Sequence, residues 1–158
     1  MNALPHRVSW TVPPRYVGWF FLWTSGIHVG IVAADPGLYR HFADGAFVPG
    51  LSEAWRSVFM AHPSAAGLVV AAGEAVLALL LLLGSRPYRR VGWVGTIGFH
   101  VGLMCFGWSF WLWSVPALLL LMRGARQDWS DPDGPGSPRP MTLVDHTRTG
   151  AGPSGSTP

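Results

Sequence analysis

Two stretches of this chain hold almost nothing that water would favour. Residues 68–84 carry one ionisable group, Glu74, and residues 91–122 carry one, His100, apart from the thiol of Cys105. A third stretch, 16–34, contains a single histidine, His28. Apolar runs of this length suit hydrocarbon, where a helix needs about 20 residues to cross. Charged residues are 12% of the chain and hydrophobic ones 49%, against about 25% charged in an ordinary soluble domain. The expectation is an all-α integral membrane protein.

Counting residues favours four spans, with a three-span chain whose tail lies outside as the alternative. A single helix over the 32 residues of 91–122 would be about 48 Å long, too long for a core of about 30 Å. The expected spans are therefore 16–34, 64–83, 91–107 and 108–122, with the break around Gly107-Trp108-Ser109. Asp35-Pro36-Gly37 ends the first, because the residue before proline is pushed out of the helical region. No small-residue cleavage site is evident there, so this segment is expected to stay as a helix. In the following loop, Ser52 and Glu53 read as the start of a short helix ending near Ala61. Trp55 and Phe59 share one of its faces with Val58 beside them, which predicts a helix lying at the membrane surface. Residues 1–15 form a polar leading segment, and 126–158, rich in Pro, Gly, Ser and Thr, read as a disordered tail.

Arginine placement sets the topology. Arg7, Arg15, Arg86, Arg89, Arg90, Arg123 and Arg126 share one side, against Arg40 and Arg56 opposite. The positive-inside rule puts both termini in the cytoplasm of a multi-pass cell-membrane protein. Trp10, Trp93 and Trp129 on one side, and Trp55, Trp108, Trp111 and Trp113 on the other, are expected to anchor at the interfaces. Arginines spread in this way make no nucleic-acid surface. Cys105 is the only cysteine, which rules out a disulfide within the chain.

An eight-residue pattern occurs twice inside these spans. Thr24-Ser25-Gly26-Ile27-His28-Val29-Gly30-Ile31 is matched by Thr96-Ile97-Gly98-Phe99-His100-Val101-Gly102-Leu103. Thr24 and Thr96 each precede a histidine by four residues and share its face. At 1.5 Å per residue, both histidines fall about 9 to 11 Å below the outer surface and Glu74 about 15 Å below it. Isolated ionisable groups in lipid each cost several kcal/mol, so the three are expected to face one another. The plainer alternatives are histidines that bond a neighbouring helix only to fix packing, and a protonated Glu74 bonded to a backbone carbonyl. Gly26 with Gly30, and Gly98 with Gly102, have the small-xxx-small spacing and lie about 160 to 200° from the histidine, which predicts close helix packing on another face. Met60, Met104 and Cys105 read as filler, and His41 and His62 as exposed loop residues.

The glutamate of the second span sits in Gly73-Glu74-Ala75-Val76, followed by the leucine run to Leu83-Gly84-Ser85-Arg86. With four short spans and a histidine in the third, the chain resembles the DoxX-like family over about residues 16–125. It is also similar to the horizontally transferred transmembrane domain shared with vitamin K-dependent gamma-carboxylase. That similarity rests on Phe42-Ala43-Asp44-Gly45-Ala46-Phe47-Val48-Pro49 ahead of an interfacial helix, and on Phe99-His100 before an aromatic-rich last span. The resemblance implies a membrane redox accessory, linked to quinones or redox homeostasis. The chain lacks the extra spans and large extramembrane domain that carboxylase activity implies.

Three function classes suit these residues. In a redox or quinone-binding protein, His28 and His100 hydrogen-bond a quinone oxygen, Thr24 and Thr96 hold the rings and Glu74 carries the proton; a variant has both histidines ligate haem. No metal site beyond that is predicted. The second class is a non-enzymatic scaffold, partnered through the glycine faces by another membrane protein or a second copy. The third is a small proton-linked transporter.

Overall fold

Three of the four long helices carry a proline in the first turn. A computed structural model describes residues 11–130, and in it Pro14, Pro63 and Pro87 sit in the first turns of α1 (Pro14–Ala34), α3 (Pro63–Leu82) and α4 (Arg86–Leu103). Proline fits there because its missing N–H is one that a first turn leaves unbonded. Between α1 and α3 run a 3-10 helix (Pro36–Ala43) and a short helix α2 (Leu51–Ala54) continued by a π-helical turn (Trp55–Phe59). α5 (Trp108–Ser130) follows a 3-10 turn (Met104–Phe106). Every regular element among the described residues is helical. Arg7, Trp10 and the tail beyond Ser130 lie outside the described residues.

Each long helix packs antiparallel to the next. The tightest seam joins α1 and α3, along Gly18, Phe21, Ser25, His28 and Val32 on one side and Gly67, Ala71, Glu74, Ala78 and Leu81 on the other. Both sets advance by alternating steps of three and four residues, the period of a helix-helix seam. Small residues let the backbones approach: a Cβ on Gly18 would stand 3.1 Å from the Ala78 carbonyl oxygen. The Ser25 hydroxyl donates to the Ala71 carbonyl across the seam at 2.8 Å, a bond worth about 0.6 to 1 kcal/mol between helices in a membrane. α4 lies on α3 through Gly92 and Gly95 against Leu81 and Leu77. α5 returns along α4, with Gly124 under the Trp93 ring.

The 91–122 segment does divide into two helices. Gly107 makes the break with φ +131°, a left-handed conformation that L side chains rarely adopt. A Cβ there would also lie 2.6 Å from the Gly45 carbonyl oxygen. Phe47 N–H donates to the Cys105 carbonyl at 3.1 Å, so the first loop docks onto this break.

Two helices, α1 and α3, are long and apolar enough to cross a membrane. α4 opens on Arg86, Arg89 and Arg90, and α5 closes through Arg123, Arg126 and Asp128, which shortens the uncharged part of each.

Three expectations are corrected. The helical chain does not stop at Met122 or give way to an irregular tail at Arg126; α5 continues to Ser130. The cause is tertiary. The Arg89 guanidinium pairs with Asp128 at 3.1 Å, Trp93 Nε1 donates to Asp128 Oδ2 at 3.2 Å, and Arg86 donates to the Trp129 carbonyl at 3.3 Å. Trp93 is no interfacial anchor, because its ring is fully buried in the core with Phe21, Leu81 and Leu121. The glycines of the repeat pack against nothing among the described residues. A Cβ on Gly26, Gly30, Gly98 or Gly102 would meet no atom within 4 Å, and the close approaches use Gly18, Gly67, Gly92, Gly95 and Gly124 instead.

Candidate functional site

Seam geometry points His28 from α1 toward Glu74 on α3, since both occupy inward positions of the three-four pattern. They meet: His28 Nε2 lies 3.7 Å from Glu74 Oε1. That is too long for a hydrogen bond but close enough for the carboxylate to stabilise charge on the ring. The other nitrogen, Nδ1, lies 2.7 Å from the Tyr39 hydroxyl, with the two ring planes within 9°. With Glu74 ionised, one arrangement suits both nitrogens of His28. Tyr39 O–H donates to Nδ1, and Nε2–H is aimed at Glu74.

Tyr39 reaches this position because of how α1 ends. Asp35, ahead of Pro36, is extended (φ −160°, ψ 97°), and its Oδ1 accepts from Gly37 N–H at 2.8 Å. This turn starts the 3-10 helix that lays Tyr39 back over His28. Gly67 makes the room, since a Cβ there would stand 2.8 Å from Tyr39 Cε2 and 2.6 Å from Val32. Trp55 Nε1 donates to the Tyr39 carbonyl at 2.8 Å and holds the segment from above. Tyr39 is 1% exposed. Burial raises its phenol above the usual value, and the Glu74 charge adds to the effect.

These groups open into a cavity of about 460 Å³ at the end of the helices beneath the first loop. Its walls come from α1, α3, α4 and α5, and its roof from Tyr39, Phe42, Trp55 and Phe59. The π-helical turn sets the Trp55 and Phe59 rings 3.8 Å apart and nearly parallel, and Trp55 also meets Phe106 edge-on at 5.0 Å. The aromatic face of the short helix, expected to lie on the membrane surface, is thus turned inward while Val58 stays exposed. Apart from Thr24, His28, Tyr39, Glu74 and His100, the lining is apolar.

His100 lines the same cavity from α4, with no bond to His28 or Glu74. Its Nδ1 lies 3.0 Å from the Thr96 carbonyl. A carbonyl only accepts, so Nδ1 carries the proton and Nε2 keeps its lone pair. The ring is held edge-on by Phe21 and Phe99, each with its centroid 5.8 Å away. Glu74 is 3% exposed. Thr24 lies near enough to interact with it, but the Thr24 hydroxyl donates to the Phe21 carbonyl at 3.0 Å. Among the described residues Glu74 Oε2 is therefore buried without a hydrogen-bond partner.

Of the residues expected from sequence, His28, Glu74, His100 and Thr24 share this cavity. Thr96 does not. It is fully buried, its hydroxyl donates to the Trp93 carbonyl at 3.0 Å, and only its own carbonyl serves the site, through His100. Sequence reasoning missed Tyr39. Its signal is a tyrosine three residues beyond the helix-ending Asp35-Pro36 turn, where the chain must fold back onto the helix it has left. His41 and His62 are exposed. His41 instead joins Arg56 in holding Asp44, at 2.9 and 3.1 Å, and the His41 hydrogen bond, then that from Arg56, keeps the Asp44 carboxyl below its usual range.

No family model, curated protein or solved structure matches this chain. Among the described residues no three metal-binding side chains gather closely enough to hold an ion.

Proposed function

We propose that this chain is a multi-pass membrane protein whose helices enclose a quinone-binding site with a built-in proton relay. The carrying observation is the line Tyr39–His28–Glu74 opening into an aromatic cavity. In this reading α1, α3 and the apolar parts of α4 and α5 form a four-helix membrane bundle with both termini in the cytoplasm. Two facts support it. Large apolar side chains such as Val69, Leu83, Trp108 and Leu112 face outward, each more than 70% exposed. The antiparallel packing also gathers Arg15, Arg86, Arg89, Arg90, Arg123 and Arg126 at one end of the bundle, the arrangement of a cytoplasmic face.

The site fits a quinone head. A flat, apolar ring with carbonyl acceptors needs an aromatic slot and a few convergent donors, and about 460 Å³ is within the ordinary range for small-ligand pockets. A quinone supplies a carbonyl oxygen that takes up a proton on reduction. The protein's part is to hold and move that proton. Glu74 keeps charge on His28 tolerable, His28 passes protons between its two nitrogens, and Tyr39 links the ring to the loop outside. The unpartnered Glu74 Oε2 is a further acceptor. Electrons would come from a partner protein, which fits an accessory role of the DoxX-like kind. Bis-histidine haem ligation fits less well, since both nitrogens of His28 already face protein groups.

The test is purification in mild detergent, analysis of the extracted lipid and titration with a short-tailed quinone followed by tryptophan fluorescence. Binding that His28→Leu weakens by about tenfold or more, because the Tyr39–His28–Glu74 line at the cavity is broken, is the expected result. A Soret band in the fresh protein, or wild-type binding by the variant, would overturn the reading. A second reading, a scaffold for another membrane protein or a second copy, is favoured by one observation: the open glycine faces Gly26/Gly30 and Gly98/Gly102.

A further inference from the structure

A second cavity of about 260 Å³ lies beside the first along the seam between α1 and α5. Phe20, Phe21, His100 and Trp113 line both, so the two spaces share a wall. The second space is different in character. Past His100 its lining includes Val17, Pro116, Ala117 and Leu120, with no carboxylate or further histidine. It offers an occupant no hydrogen-bonding chemistry beyond the Tyr16 hydroxyl at its far end.

Helix geometry gives its reach. From the level of His28 to that of Tyr16 is twelve residues of α1, or about 18 Å at 1.5 Å per residue. The seam is also the least closely packed of the bundle. Phe20 and Trp113 touch at 5.8 Å where the two cavities meet. Pro116 lies inside α5 and removes a backbone donor on this stretch.

Resting on the quinone reading, we infer that the α1–α5 groove is the tail site of the same ligand, so that the natural ligand is a quinone bearing a long apolar chain. The head meets the polar residues beneath the loop. The chain leaves past Phe20 and Trp113 and runs toward the basic end of the bundle. A short-tailed quinone held in the first cavity would leave the 260 Å³ of the second unfilled. A chain covering about 18 Å of apolar wall adds affinity with each buried methylene, ideally about fourfold apiece.

The experiment compares short- and long-tailed quinones of the same head on the full chain in one detergent, for the wild type and for Ala117→Trp, which fills the groove. Taking the variant-to-wild-type ratio at each tail length cancels partition of the ligand into detergent. The expected result is short-tail affinity within about twofold of wild type and long-tail affinity lowered by about tenfold or more. Equal ratios at both lengths overturn the tail site and leave the head site standing. No binding of the short-tailed compound to the wild type sinks the head site itself. Leu120→Trp, at a position already 56% exposed, repeats the test where folding is not at risk, and unchanged long-tail binding in both variants overturns the inference.

Discussion

The Tyr39 hydroxyl sits 2.7 Å from His28 Nδ1, eleven residues back along the chain, with the two rings nearly parallel. This contact ties the first loop to the first long helix at the point where that helix meets Glu74. The titration of Tyr39 is therefore a readout of the site. A phenol normally titrates near 10, and burial with the Glu74 charge raises Tyr39 above that. The sign follows from proton counting. Below the unfolded value both states are protonated and nothing changes; between the unfolded and folded values the folded state holds the extra proton, so stability falls as pH rises. An absorbance titration of phenolate is expected to show a component above the usual phenol value that Tyr39→Phe removes.

His28 and Glu74 are energetically coupled. His28→Leu takes away the ring beside a buried carboxyl whose Oε2 already lacks a hydrogen-bond partner, which is expected to cost about 2 to 4 kcal/mol. Glu74→Gln is milder because the ring keeps Tyr39. In the double variant the unpaired carboxylate is gone, so the losses are less than additive. Thermal unfolding in detergent, followed by helical circular dichroism, measures all three. Strict additivity would show the 3.7 Å contact to be energetically idle.

Glycine substitutions separate real seams from open faces. Gly67→Ala pushes a methyl into Val32 and Tyr39, and Gly107→Ala adds both a strained φ and a contact 2.6 Å from the Gly45 carbonyl. Each is expected to destabilise by about 1 to 3 kcal/mol. Gly98→Ala and Gly26→Ala meet nothing within 4 Å, and the alanine they introduce gains roughly 1 kcal/mol of helix propensity. The check is apparent Tm across the four variants. A loss in Gly98→Ala or Gly26→Ala that shrinks on diluting the protein would instead reveal a partner helix on that face.

At the basic end, Asp128 accepts from both Arg89 and Trp93. Asp128→Ala strands a buried indole N–H and a half-buried guanidinium, at an expected cost of about 1 to 3 kcal/mol. The last turns of α5 should fray with it. Limited proteolysis near Arg123 and Arg126 is the readout, faster in Asp128→Ala than in the wild type.

The helices themselves were legible because apolar runs, helix-ending prolines and arginine turns are local signals. The start of α1, the limits of α3 and the break at Gly107 all lie within two residues of where those signals put them. His28, Glu74 and His100 stood out because ionisable groups in such runs are rare and conspicuous. What sequence could not decide was azimuth and partnership. Thr24 and Thr96 occupy equivalent places in the repeat, yet one lines the cavity and the other is sealed in the core, because α1 and α4 meet different neighbours. The repeated glycines look like packing surfaces in one dimension and, among the described residues, are bare in three. Trp93 reads as an anchor until Asp128, thirty-five residues later, supplies its partner.

Sequence alone therefore determined the all-helical class, the number of long helices among the described residues and the isolation of the ionisable groups within apolar runs, since each depends on adjacent residues. Tertiary structure alone decided that His28 meets Glu74 while His100 stands apart, and that Tyr39 completes the line. Those contacts join residues 11 to 46 positions apart, and only the packing of α1 on α3 and the turn at Asp35 bring them together.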